Sequence, residues 1–271
     1  MRKIEADEIQ KYLLGIVTAF DEFARENGIT YYLSGGTLIG AVRHSGFIPW
    51  DDDIDIMMPR KDYDKLLATF THDIYKLADC DSNEKYGSSY ARMWDSRTKR
   101  DWGNLNNIDM GVYIDIMPMD GYPNSLLLSK IRECRLMLLR RLRASALKKE
   151  VPKNAKLRSL KVLYKKLNHK TANDYARKIN RIGRKNDFDT SEYVGVQSAT
   201  HNTFKERNPR SIFDNTVYFK FENLMLPAPE GYDVYLRHIF GDYMQLPPEE
   251  QRVRRHAQDI YVIDEQEEMS E

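Results

Sequence analysis

Residues 31–60 read YYLSGGTLIGAVRHSGFIPWDDDIDIMMPR, and the fold turns on how that run is parsed. Its centre, Asp51-Asp52-Asp53-Ile54-Asp55-Ile56, holds four carboxylates within five positions and runs into the apolar pair Met57-Met58. The alternation Asp53/Ile54/Asp55/Ile56 has period 2, so in a strand Asp53 and Asp55 share one face while Ile54 and Ile56 enter a core. Two carboxylates on one strand face repel unless a cation lies between them, and an oxygen-only donor set favours Mg²⁺ or Mn²⁺. The competing reading is a solvated acidic turn, but such turns seldom run straight into a buried apolar strand.

Upstream, residues 29–33 (ITYYL) are β-branched and aromatic and read as a strand. Ser34-Gly35-Gly36 breaks it, and residues 37–43 read as a short helix with Thr37 as a candidate cap. Glycines between a strand and a helix N-terminus let backbone N–H groups approach phosphate oxygens, which makes Ser34, Gly35, Gly36 and Thr37 candidates for an anionic ligand. A tight turn is the alternative. Downstream, residues 111–117 alternate again, with Asp115 on the face opposite Ile114 and Ile116. Laid beside the first acidic strand, it would bring a third carboxylate to Asp53 and Asp55.

Here the residues reach a resemblance. Ser34-Gly35-Gly36 followed by Asp53-Ile54-Asp55-Ile56 resembles the hG[GS]…Dh[DE]h signature of the nucleotidyltransferase superfamily, the polymerase-beta-like fold. The fuller string GGTLIGAVRHSGFIPWDDDIDI (35–56) resembles the LicD family, related to the fukutin transferases. Further matches are YIDIMPMDG (113–121), FGDYM (240–244), LPP (246–248), and then Arg252 and His256. The resemblance implies a mixed α/β sheet flanked by helices, with Asp115 completing a metal-binding and catalytic triad with Asp53 and Asp55. It implies a transferase that moves a phospho-alcohol, phosphocholine by default, from a CDP-linked donor to a hydroxyl of a cell-surface glycan or its lipid-linked precursor. CMP would then leave. The triad by itself also fits a nucleotidyltransferase that releases pyrophosphate, or a DxD-type glycosyltransferase using a nucleotide sugar.

The chain has 271 residues, 41% apolar and 31% charged, with a net charge of +1. That is the composition of a globular protein of one large domain or two small ones. No run approaches the length of a membrane span, and the first ten residues carry acids where a signal peptide needs apolar residues, so the expectation is a cytoplasmic protein. Cys80 and Cys134 lack metal-ligand spacing and read as free, buried thiols. Charge is unevenly placed: residues 129–186 hold 20 Lys and Arg against Glu133, Glu150 and Asp174. Such a segment expects an anionic partner, and an anionic membrane surface suits an enzyme of lipid-linked substrates. Its basic residues are Lys-rich and helix-borne with few aromatics, which argues against nucleic acid.

The expected organisation is a nucleotidyltransferase-like core over residues 1–123, a basic helical segment over 124–190, and strands and helices over 191–271 that complete the core. Within the helical segment, Leu126, Leu127, Ile131, Leu136, Leu138, Leu139 and Leu142 are the expected apolar positions, and Pro152 divides it. Arg43, His44 and Arg92 are candidate cations for a leaving group. Pro247-Pro248 is expected to open a last helix that carries Arg252 and His256 on one face. Trp50, Trp94, Trp102, Tyr31 and Tyr113 are candidate walls for a quaternary ammonium. A calcium loop starting at Asp51 fails because Ile56 stands where that loop needs glycine and Asp62 replaces the bidentate glutamate.

Overall fold

The computed structural model describes residues 1–5, 8–105, 107–150, 158–198, 203–253 and 259–263. In chain order, β1 (Arg2–Lys3) precedes α1 (Ile9–Glu26), β2 (Tyr32–Leu33), α2 (Gly35–His44), β3 (Asp55–Pro59) and α3 (Arg60–Thr69). Four strands follow: β4 (Tyr75–Ala78), β5 (Ala91–Asp95), β6 (Thr98–Arg100) and β7 (Tyr113–Gly121). Then come α4 (Leu126–Leu147), α5 (Arg158–Leu167) and α6 (Ala172–Gly183). The last elements are β8 (Tyr193–Val196), β9 (Asn208–Pro209), β10 (Thr216–Phe221), β11 (Leu224–Pro229), α7 (Tyr232–Phe240) and β12 (Ile260–Val262).

The result is the mixed α/β architecture expected. The main sheet runs β2-β3-β7-β5-β4, with β8 paired to the far end of β7 and β9 to β8. Only β3 and β7 are parallel; the other pairs in this sheet are antiparallel. Parallel neighbours at the centre are covered on both faces, so Ile56, Met57, Met58, Ile114, Ile116 and Met119 are all fully buried. α1 supplies part of that cover. Its buried residues Leu13, Ile16, Val17, Phe20 and Ala24 recur at helical spacing, and burying each large side chain contributes ~1.5–3 kcal/mol.

At the far end of the parallel pair, Arg60 reaches across to Asp120. Its Nε and Nη2 donate to the two carboxylate oxygens at 2.7 Å each, and Nη2 also reaches Asn180 Oδ1 of α6 at 3.0 Å. Burial pushes the Asp120 carboxyl up, opposed by Arg60. Removing either partner would strand a buried charge at ~3–5 kcal/mol. Gly183 ends α6 against this pair, where a Cβ would collide with the Asp120 carboxylate.

Several sequence expectations are corrected. Thr37 does not cap α2, which starts two residues earlier with Ser34 at the N-cap; the Thr37 hydroxyl instead accepts from Asp55 N at 2.9 Å. Cys134 is exposed, and only Cys80 is buried. The segment after Pro247-Pro248 forms a single 3-10 turn, Glu249–Gln251, and Arg252 lies beyond it; His256 and Pro152 fall outside the described residues. The largest departure is α4. Leu136 is buried, but Leu126, Leu127, Ile131 and Leu138 point to solvent, and the inward face carries Ser129, Glu133, Arg140 and Arg143. That face is held by hydrogen bonds: Tyr122 to Glu133, Ser129 to Pro123 O, Arg140 to Gln197 O, and Arg143 to Gly87 O. Part of the basic segment's charge is therefore turned inward.

Candidate active site

The parallel pairing of β3 with β7 sets Asp55 directly opposite Asp115, and the antiparallel pairing of β5 with β7 sets Arg92 opposite Asp115 on the other side. Three adjacent strands thus present the row Asp55–Asp115–Arg92, with neighbours ~5 Å apart. Alternation works as the pattern requires: Ile54 and Ile56 are fully buried while Asp53 and Asp55 are half-buried. Regular pairing starts at Asp55, so Asp53 lies just ahead of the strand.

The glycine turn stands against this row. Gly35 has φ of +51°, a left-handed conformation that disfavours side chains, and a Cβ on it would lie 3.2 Å from Asp55 Oδ2. A Cβ on Gly36 would lie 2.9 Å from Asp51 Oδ2. Asp51 therefore joins the cluster as a fourth acid. The Ser34 side chain does not cap α2; the Tyr235 hydroxyl of α7 meets the Gly35 backbone instead, and the helix start lies beside these carboxylates. Ser34 does not cap because its hydroxyl is hydrogen-bonded to the Tyr235 hydroxyl of α7 at 3.1 Å.

Charge in the row is unbalanced. The Asp55 carboxyl is held well above the usual carboxylate range, first by burial and then by Asp53, Asp115 and Asp51, with Arg92 opposing. Asp115 is oriented by two donors: Arg92 Nε to Oδ1 at 2.7 Å and the Tyr90 hydroxyl to Oδ2 at 3.3 Å. The Arg92 guanidinium also lies 4.2 Å from the Tyr113 ring centre, and Arg100 lies 4.6 Å from the same ring. Tyr113 stacks on Trp102 at 6.2 Å and 12°. These ring faces already carry guanidinium groups, so this edge of the row is suited to an anion rather than to caging an ammonium. Tyr31, another expected cage residue, is a core residue that donates to Asp21.

Arg43, His44 and Arg252 gather elsewhere, around Trp50, one residue before Asp51. Arg43 donates to His44 Nε2, to Tyr243 O at 2.8 Å and to Gln245 O. Arg252 donates to Pro247 O and lies 5.6 Å from the Trp50 ring centre. Burial and the charge of Arg252 lower the Arg43 guanidinium, and burial and Arg43 lower His44. The contacts seen for these cations hold the 243–247 turn onto α2.

Among the described residues, three ligand atoms come within 4.8 Å of one another at Asp79, Cys80 and Asp81. Burial pushes the Cys80 thiol up to about 12, and Asp79 Oδ1 is used by the backbone N–H groups of Asp81 and Ser82. This is a turn with a protonated thiol, a poor donor set. The oxygens of Asp53, Asp55 and Asp115 are spread more widely, with Asp115 drawn onto Arg92. They nonetheless fit a hard cation better: all are carboxylates, two are in register, and their mutual repulsion is what a divalent ion relieves.

Tyr90, Arg100, Tyr235 and the full part of Asp51 escape a reading of the sequence alone. Tyr90 was within reach, because it lies two positions from Arg92 and so shares its strand face. Tyr235 was not, since 201 residues separate it from Ser34.

An acidic row on adjacent strands, edged by a glycine-led helix and backed by arginines, is the candidate site of this mixed α/β protein. The family model for the LicD/FKTN/FKRP nucleotidyltransferase domain matches residues 28–133, which hold all of the row. The lipopolysaccharide cholinephosphotransferase LicD of Haemophilus influenzae is 31% identical over 273 residues, covering 97% of this chain and 100% of that protein. The chain belongs to the LicD family. Ribitol 5-phosphate transferase FKRP of Homo sapiens is 41% identical over 49 residues, 18% of this chain and 8% of that protein. Mannosyltransferase regulator 4 of Saccharomyces cerevisiae is 31% identical over 144 residues, 48% of this chain and 12% of that protein.

Proposed function

We propose that this protein transfers a phospho-alcohol, phosphocholine by default, from a CDP-linked donor to a hydroxyl of a cell-surface glycan or its lipid-linked precursor. The observation that carries the reading is the register that sets Asp55 beside Asp115 and Asp115 beside Arg92. The names of the relatives support the substrate class: one is a cholinephosphotransferase of lipopolysaccharide and another a ribitol 5-phosphate transferase. The proposed place of action is the cytoplasmic side of a membrane where lipid-linked precursors are built.

In this reading Asp53, Asp55 and Asp115 hold Mg²⁺ or Mn²⁺, and Asp51 lies close enough to assist. The ion supplies charge neutralisation for a diphosphate and polarises the phosphorus. The chain's own residues do the rest. Gly36 and Thr37 N–H groups at the head of α2 receive donor phosphate oxygens, since a glycine there leaves room for an anion. Arg92 and Arg100 offset charge on the departing CMP. Asp115 takes the proton of the acceptor hydroxyl: each of its oxygens keeps a lone pair beyond the bonds from Arg92 and Tyr90. Arg43, Arg252 and His256 are assigned to contacts with the phosphates of the donor or the acceptor.

The test is incubation with Mg²⁺ and a panel of CDP-linked alcohols together with glycan acceptors. Acceptor-dependent release of CMP is expected. Release of pyrophosphate from a nucleoside triphosphate, or glycosyl transfer from a nucleotide sugar, would replace this reading.

A further inference from the structure

A helix that packs on a sheet ordinarily buries its leucines; α4 does the reverse. Leu127 is 68% exposed, Ile131 57% and Leu138 57%, and the exposed Cys134 lies between them. These four fall at i, i+4, i+7 and i+11, one stripe ~16 Å long on a single helix face. Exposed Lys130 and Arg141 line one side of the stripe and exposed Arg135 the other. Within residues 126–149 the single acid is Glu133, which is buried against Tyr122. No helix among the described residues is long and apolar enough to cross a membrane.

Exposed apolar patches of this kind mark a docking surface. Its chemistry selects the partner. A second copy would set cations against cations, and a protein ligand would want a groove, whereas this stripe is the convex outer face of one helix. Leucines on a convex face edged by Lys and Arg are the makings of a helix that lies in a bilayer interface. We propose that α4 is such an interfacial helix. Leu127, Ile131, Cys134 and Leu138 enter the headgroup–acyl boundary of an anionic membrane, and Lys130, Arg135 and Arg141 meet its phosphates.

The same helix leads to the acids. Near its C-terminal end Arg143 holds Gly87 O, and the charge of Arg143 is felt at Tyr90, which together with Arg92 holds Asp115. Through Arg143, a helix held at a bilayer is thus tied to the residues that position Asp115, in a protein proposed to meet a lipid-linked hydroxyl. That use rests on the proposed reaction; the docking itself does not, and it is measured without donor or acceptor.

The full chain is sedimented with vesicles of phosphatidylcholine alone or of phosphatidylcholine and phosphatidylglycerol in equal parts. A polarity-sensitive dye is placed on Cys134, Cys80 being buried. Expected are binding to the anionic vesicles and a blue shift of the dye. The triple variant Lys130→Gln, Arg135→Gln, Arg141→Gln should lose ~100-fold in partitioning, from ~1 kcal/mol per cation. The triple variant Leu127→Ser, Ile131→Ser, Leu138→Ser should lose ~10-fold or more and all binding that survives high salt. Lys11→Gln, Lys85→Gln, Lys220→Gln, exposed lysines elsewhere, should change binding less than ~3-fold. Absence of binding, equal binding to neutral vesicles, an unshifted dye, or an apolar variant that binds as the parent does would each overturn the proposal. So would light scattering that shows a dimer dissolved by the apolar substitutions, because the stripe would then belong to a second copy.

Discussion

Arg92 stands directly opposite Asp115 across an antiparallel strand pair, and its Nε is 2.7 Å from Asp115 Oδ1. Asp115 is thus gripped from one side by a cation and pressed from the other by Asp55. The bond is directional, and a lysine cannot reproduce it because it offers a point charge without the planar fork. Arg92→Lys is expected to lower kcat for CMP release ~10–100-fold through a misoriented Asp115, with KM for the acceptor changing less. A KM effect with kcat intact would assign Arg92 to acceptor binding.

Asp55→Asn and Asp115→Asn should each reduce transfer by at least ~1000-fold, the scale of losing a metal ligand and its charge. Asp55→Asn should fold as well as the parent or better, since burial and three acidic neighbours work against its ionised form. Thermal unfolding with and without Mg²⁺ checks the assignment separately from activity. The parent should gain stability with the ion by mass action, and both variants should lose most of that gain.

Gly36→Ala places a Cβ 2.9 Å from Asp51 Oδ2, close enough that the carboxylate must move. Gly35→Ala adds the strain of a left-handed residue, ~1 kcal/mol. The first variant should be folded and weak in donor binding by ~10-fold or more, read by calorimetry with a CDP-alcohol and no acceptor. Unchanged donor affinity in Gly36→Ala would reduce the turn to a backbone device.

Behind β8, Glu206 is buried with no partner for Oε2 among the described residues, and burial followed by the charge of Glu133 pushes it up to about 8, with Arg140 opposing. Glu133 itself is pushed up to about 7 by burial. A raised carboxyl means that the folded chain holds a proton the unfolded chain has released between 4.5 and about 8. Stability is then full below 4.5 and is lost as pH rises through about 8. Glu206→Gln, which mimics the protonated acid, should match the parent near pH ~5 and exceed it near pH ~9 by a few kcal/mol, on the order of 3–5. Denaturant unfolding at both values measures the difference.

Local pattern carried a good part of this structure. Alternation at residues 53–56 and 111–117 located the two central strands, because a two-residue period has a direct meaning for which face is wet. The positions of Asp53, Asp55 and Asp115 were legible for the same reason. What α4 does was not legible, since its leucines recur at helical spacing whichever way they face, and only the buried partners Tyr122, Gln197 and Gly87 reveal that its polar side is the inner one. Arg252 shows a different limit. The expected pair with His256 rests on helical spacing; the chain leaves a 3-10 turn just before Arg252, and His256 lies outside the described residues. Tyr235 and Glu206 come to Ser34 and Glu133 through tertiary packing, for which no local pattern exists.

The pair at the other end of the central strands bears on how the site is assembled. Asp55 faces Asp115, and five residues further along both strands Arg60 meets Asp120. One end of the parallel pair repels and the other attracts, ~17 Å apart. Repulsion alone would favour a shift of β3 along β7, and a slip of one residue would turn Asp53 and Asp55 to the opposite face of the sheet, away from Asp115. A bidentate arginine tolerates no such slip, because its two bonds need the Asp120 carboxylate in one place. The Arg60–Asp120 pair therefore stabilises the one alignment of β3 and β7 that sets two acids, which would otherwise avoid each other, side by side.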